Sequence, residues 1–398
     1  MKAIINIGLA AASLVLSAVL IEGGFYVLNR FSPPIVSKTS GGPDKAHEDF
    51  FQYDPVYGFR GIANKSGMFG RKFVSLNSRG DRGPDYLSAK SAGIKRVIVL
   101  GDSQVWGFGM ADNETAPAQL AEILTKDAPQ QRFEVLNLGV SGYGTDQEYL
   151  KFVIEGLTYQ PDYVALVFYI DNDITEVGST RMWGVAKPRF FLRNGGLCLT
   201  NFPPPRAEGW RDPGSKLFGF LPEHVVLFGH TFDLSESQTL AFFKNRQLRT
   251  SLAGMLGAPS AEKGDALGEQ VQALKRYVDC VDNSVTVEKA AQPEALEVTY
   301  ALIEKMAALS NERGVPFLVI MKPAMADYRS GQRSRLYREI SNKLAGKGIP
   351  VVDLISVGRR NQIDIRNMYW HADGHLGVAG NRMVALSIRD FVLEKALP

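Results

Sequence analysis

Ser103 closes the segment RVIVLGDS (96–103), where a short apolar run rich in β-branched residues stops at Gly-Asp-Ser. A serine at the carboxyl end of a buried strand sits where open α/β sheets carry their chemistry. Its hydroxyl is a weak nucleophile until a base takes the proton. The chain has 5 histidines: His47, His224, His230, His371 and His375. In YWHADGHLG (369–377), Asp373 stands two residues before His375. A carboxylate that close on one loop can reach the imidazole Nδ1, fix the tautomer and leave Nε2 for the serine. The pattern asks for Ser103 as nucleophile, His375 as base and Asp373 as its orienting partner. The competing reading of Gly-Asp-Ser alone is a strand-ending turn, because all three residues form turns readily.

Acyl transfer also needs donors for a developing oxyanion. Two further polar loops, LGVSGYGT (138–145) and YIDND (169–173), each follow an apolar run. Gly142 offers a backbone N–H, Asn172 a side-chain amide, and Ser103 its own N–H. Asn172 could equally cap a helix, and Gly142 could serve only tight packing. His371 is a second candidate base, or a wall of the pocket. Asp102 and Asp173 read as loop stabilisers through side-chain to backbone bonds. Trp106 either lines the pocket or packs in the core. No G-x-S-x-G elbow, Walker A motif or dinucleotide glycine fingerprint occurs. No C-x-x-C pair points to structural zinc. This chemistry requires no metal and no organic cofactor.

A regular α/β alternation positions these loops. Strands are expected at Val97–Leu100, Phe133–Leu138, Tyr163–Tyr169, Pro316–Met321 and Pro350–Leu354. Helices are expected at Thr115–Thr125, Gln147–Gly156, Glu294–Glu312, Ser334–Leu344 and from about Ala379 to Leu393. Five short strands joined by helices imply one parallel sheet with helices on both faces. The alternation stops across 178–292, too long for a loop in a compact domain. That stretch reads as an inserted cap, with helices at 235–256 and 265–280. The organisation is then an anchor at 1–30, a stalk and stem at 31–94, and a main domain at 95–398 interrupted by the cap. Within the stem, strands are expected near Gly58–Ile62 and Lys72–Leu76.

Ala3 to Ile21 is apolar except for Asn6, Ser13 and Ser17. At about 1.5 Å per residue it nearly spans a hydrocarbon core of about 30 Å. Phe25, Tyr26 and Arg30 follow as an interfacial group. No convincing A-x-A site closes the run, so an uncleaved anchor is favoured over a cleaved signal peptide. The folded part is then expected outside the cytoplasm, on the periplasmic side. Cys198 and Cys280 could pair there, or remain buried thiols. A formal net charge of +3, with no basic run, excludes nucleic acid as the main partner. Oligomeric state leaves no trace in the sequence.

The four blocks, in order, resemble the SGNH/GDSL hydrolase superfamily. The matching residues are Ser103 in VLGDSQVWG, Gly142 in NLGVSGYGT, Asn172 in YIDND, and Asp373 with His375 in HADGHLG. The resemblance covers about Arg96 to the C-terminus, interrupted by the insertion. It implies a three-layer α/β/α fold of flavodoxin-like type, ester chemistry, and an oxyanion hole of Ser103, Gly142 and Asn172. Two departures stand out. Ile170 occupies the place of a usual glycine in the third block, and Ala372 the place of a usual aspartate in the last. The spacing of Asp373 to His375 resembles SGNH-like proteins of bacterial polysaccharide acetylation, and a Ser–His dyad is the alternative to the triad. The reading is a membrane-anchored serine esterase deacylating an extracytoplasmic glycan. Alternatives are a polysaccharide O-acetyltransferase fed by a membrane acyl-donor partner, a lipid-directed esterase, and a non-catalytic glycan-binding or assembly component.

Overall fold

The computed structural model describes residues 45–206, 224–227, 230–233, 271–285, 290–370 and 374–396. The expected anchor, most of the stalk and the expected helix at 235–256 lie outside these residues, as do His371 and Asp373. Among the described residues no helix is long and apolar enough to cross a membrane.

Five parallel strands form the central sheet: β1 (Ile94–Gly101), β2 (Arg132–Asn137), β3 (Tyr163–Tyr169), β4 (Phe317–Lys322) and β5 (Val351–Asp353). Their spatial order is β5-β4-β3-β1-β2. The chain runs from β1 outward to β2, then crosses back to β3 on the other side of β1. The carboxyl ends of β1 and β3 therefore flank the switch point of the sheet, where loops diverge and leave a crevice.

The strands read as almost unbroken apolar runs because both faces are covered. Val97, Val99, Ala165, Val167, Leu318 and Ile320 face one layer, with Leu120 and Ile123 of α1 (Ala116–Asp127) and Met383, Val384 and Ile388 of α5 (Val378–Ala396). Ile98, Leu100, Leu166, Phe168, Val319 and Met321 face the opposite layer. That layer holds α2 (Thr145–Ile154), α3 (Gln292–Asn311) and α4 (Arg335–Gly346). Side chains alternate between faces along each strand, so each strand feeds two cores. The result is three layers, α/β/α, as the alternation implied.

The stem is more structured than its sequence indicated. Phe51–Asp54 pairs with Gly58–Gly61, and Ser66–Phe69 with Lys72–Ser75. Buried Arg82 bridges the stem to the start of the main domain. It donates to the carbonyls of Trp106, Gly107 and Met110 and pairs with Asp112. The Tyr143 hydroxyl donates to the Phe59 carbonyl at 2.6 Å.

Where the alternation stops, short strands appear that the sequence reading did not place. Arg181–Met182 and Val185–Ala186 form a hairpin. Arg189–Arg193, Gly196–Thr200 and Cys280–Val281 form a small sheet in which Cys198 lies directly opposite Cys280. The two cysteines are joined as a disulfide. Further along this stretch His224–Leu227 pairs with His230–Asp233 as an antiparallel hairpin.

Candidate active site

Strand β1 ends at Gly101, and Asp102 caps the one-turn helix Ser103–Trp106 by accepting from the Gln104 amide at 2.8 Å. A carboxylate in that position satisfies an orphan donor and suits the helix start. Ser103 is the first helical residue, so its N–H has no intrahelical acceptor. The Gln104 side chain turns the other way and accepts from the Leu376 amide at 3.0 Å. It thereby ties the serine turn to the short strand His375–Leu376. Ser103 Oγ lies 2.8 Å from His375 Nε2, across 272 residues of sequence. In the tautomer that carries hydrogen on Nδ1, Nε2 accepts the hydroxyl proton.

Trp370, Asn381 and Lys322 also hold the histidine segment. His375 pairs across strands with Trp370. Asn381 of α5 donates to the Leu376 and Gly377 carbonyls, both at 3.0 Å, and accepts from the Ala116 amide of α1. Lys322, fully buried at the end of β4, donates to the Gly374 carbonyl at 2.6 Å. Its ammonium also stands 3.3 Å from the ring centroid of Tyr169, at the end of β3.

The donor side is built from the next two loops. Asn137 ends β2, donates to the Val105 carbonyl at 2.9 Å and accepts from the Gly139 amide, docking that loop on the serine turn. Gly142 sits on this loop with φ +81°, in the left-handed region that glycine adopts without strain. Among the described residues, neither the Gly142 nor the Ser103 amide donates to another protein atom. Asn172 precedes the short helix Asp173–Val177 but makes no side-chain cap bond there. Its Nδ2 donates to Asp102 Oδ2 at 2.7 Å instead. One N–H of that amide is thus fixed by Asp102. Asp173 accepts from the Tyr169 amide, the loop-stabilising role its sequence position indicated. Ile170, standing where a glycine is usual, is buried in the core beneath the loop. Trp106 is core as well, 1% exposed.

Residues that sequence reasoning missed line the site. Phe108 stacks on His375 with centroids 4.4 Å apart and planes at 23°. Trp370 meets Phe108 edge-on at 5.8 Å. His47, from the stem helix Lys45–Phe50, lies 4.0 Å from Trp183 and 3.4 Å from the Ser141 hydroxyl. Isolated aromatic residues in loops and in elements of only a few residues carry no periodic signal, so nothing in the sequence marked them. Glu148 was missed too. It sits on α2, 1% exposed, and burial followed by the carboxylates of Asp102 and Asp146 pushes its pKa well up. Asp173 is pushed up by burial first, then by Glu148 and Asp102. A buried acidic group thus lies beneath the serine turn, with Lys187 paired to Asp146.

No protein-family model and no curated protein matches the chain significantly. Solved structures do show likeness. A G-D-S-L family protein from Desulfitobacterium hafniense is 11% identical, with TM-score 0.33, over 74% of this chain and 98% of that one. A two-domain esterase active on acetylated mannans is 12% identical, with TM-score 0.36, over 76% of this chain and half of that one. An acetyl xylan esterase from Geobacillus stearothermophilus is 10% identical, with TM-score 0.36, over 76% of this chain and 96% of that one. Likeness at this level does not fix the chemistry, which must come from the site's own geometry.

Proposed function

We propose that the protein is a serine esterase using Ser103 and His375, with Asp373 orienting the imidazole. The observation that carries this reading is the 2.8 Å contact between Ser103 Oγ and His375 Nε2 at the switch point of the sheet. Ser103 Oγ attacks the ester carbonyl while His375 Nε2 takes its proton. The oxyanion forms against the Ser103 N–H, the Gly142 N–H and the second N–H of Asn172. Imidazolium returns the proton to the leaving alcohol, and an acyl-serine remains. Water then attacks that ester with His375 as base, and the serine is regenerated.

The substrate proposed is an acylated glycan outside the cytoplasm. The apolar run at 3–21 and the Cys198–Cys280 disulfide support an exported, membrane-anchored chain. The spacing of Asp373 to His375 resembles that of SGNH-like proteins of bacterial polysaccharide acetylation, and that resemblance supports a glycan ester. Ser103→Ala is expected to abolish hydrolysis of p-nitrophenyl acetate, and full activity in that variant would refute the assignment. Transfer to an added oligosaccharide faster than hydrolysis would replace the esterase by an O-acetyltransferase using the same residues.

A further inference from the structure

Trp183 and Gly184 are the two turn residues of the hairpin Arg181–Met182/Val185–Ala186. Both have positive φ, +48° and +77°. Two-residue hairpin turns of this kind favour Asn-Gly. A bulky side chain at the first position is a steric outlier, so the contacts around Trp183 must hold it there. Those contacts are with the proposed active site. A Cβ built on Gly142 would fall 2.4 Å from Trp183 Cη2, so the indole edge rests on the α-carbon of the oxyanion glycine. His47 packs on the indole at 4.0 Å, and Phe59 meets it at 5.6 Å. Both come from the stem, which thereby supplies the backing of this wall.

The tetrahedral carbon has four directions to fill. One is Ser103 Oγ. The oxyanion points to the amides, and the leaving oxygen points to His375 Nε2. The acyl substituent takes the remaining direction, beside the oxyanion donors and away from His375. A run of rings separates the two sides, with Trp183 on Gly142, then His47, then Phe108 on His375. His47 and Phe108 are 6.4 Å apart. Trp370 packs on Phe108 and against Gly109, on the leaving-group side.

We infer that Trp183 is a specificity-determining residue that closes the acyl side of the site and restricts the enzyme to short acyl groups. This rests on the serine-esterase reading. The test compares kcat/KM for p-nitrophenyl acetate, butyrate and octanoate in the wild type, Trp183→Gly and Trp183→Asn. Both replacements suit a left-handed backbone, so the turn itself does not threaten folding. Both are expected to raise the octanoate-to-acetate ratio at least about tenfold, the scale on which a few methylenes in a pocket are discriminated. Trp370→Ala is expected to leave that ratio within about twofold while changing the preference among alcohols. An unchanged octanoate-to-acetate ratio in both Trp183 variants would overturn the inference, whether activity is kept or falls uniformly. The esterase reading itself fails differently, through a wild type that neither hydrolyses these esters nor reacts at Ser103 with a fluorophosphonate.

Discussion

Replacing Glu148 by glutamine tests the electrostatics beneath the serine turn. Glu148 is 1% exposed, and neither carboxylate oxygen makes a hydrogen bond of normal geometry among the described residues. Burial acts first, then Asp102 and Asp146, and the nearby Thr145 hydroxyl offsets the least of it. The folded chain therefore keeps this proton after the unfolded chain, with a carboxyl near 4.5, has released it. Where the native state binds the extra proton, stability falls as pH rises. The fall is about 1.4 kcal/mol per pH unit, starting near the unfolded value and ending at the raised folded one. Glutamine keeps the shape and has no proton to lose. Urea unfolding, followed by tryptophan fluorescence at several pH values from 4.5 to 7.5, measures the difference. Glu148→Gln is expected to be close to wild type at the acid end and to gain on it by up to about 1.4 kcal/mol per unit toward neutrality. A difference that stays flat across this range would refute the reasoning. It would mean that Glu148 finds compensation in the fold for its charge.

Three further outcomes follow from the same contacts. Asn172→Ala should lower kcat on p-nitrophenyl acetate by about 100- to 1,000-fold with KM little changed, the cost of one oxyanion donor. A loss below about threefold would remove Asn172 from the site. Arg82→Ala strips donors from the carbonyls of Trp106, Gly107 and Met110, at about 1–3 kcal/mol for each buried group left unpaired. Denaturant unfolding should show a loss of at least about 2 kcal/mol, and an unchanged midpoint would contradict the clamp. The Cys198–Cys280 bond closes a loop of 82 residues, which chain entropy values at about 4.5 kcal/mol. Replacing both cysteines with alanine should reduce stability on that scale, and an unaffected unfolding curve would show the pair to be dispensable.

Much of the architecture was legible because strands buried on both faces leave apolar runs that end sharply. Tyr163–Tyr169 occupies the range its sequence indicated, and β1 (Ile94–Gly101) begins before the expected Val97–Leu100 and runs on to Gly101. The serine, glycine, asparagine and histidine of the site each sit in a polar loop after such a run, or just before the last helix. Their proximity in space follows from parallel strands sharing one carboxyl edge. What stayed hidden has no local signature. Arg82, Lys322 and Asn381 read as ordinary polar residues, yet each is almost fully buried and bonds to carbonyls of a site loop. Trp183 gave no signal because its importance lies in a contact with Gly142, 41 positions away. The hairpins of 51–75 were only half visible, since their short strands mix buried and exposed positions with too few residues to show a period.

The most direct test is reaction of the purified protein with a fluorophosphonate, followed by peptide mass mapping. A phosphonyl adduct on Ser103 is expected, absent after Ser103→Ala and slowed at least about a hundredfold by His375→Ala, the range for removal of a positioned general base. An unlabelled Ser103 in the folded wild type, or labelling indifferent to His375, would contradict the claim that these two side chains form a working nucleophile and base.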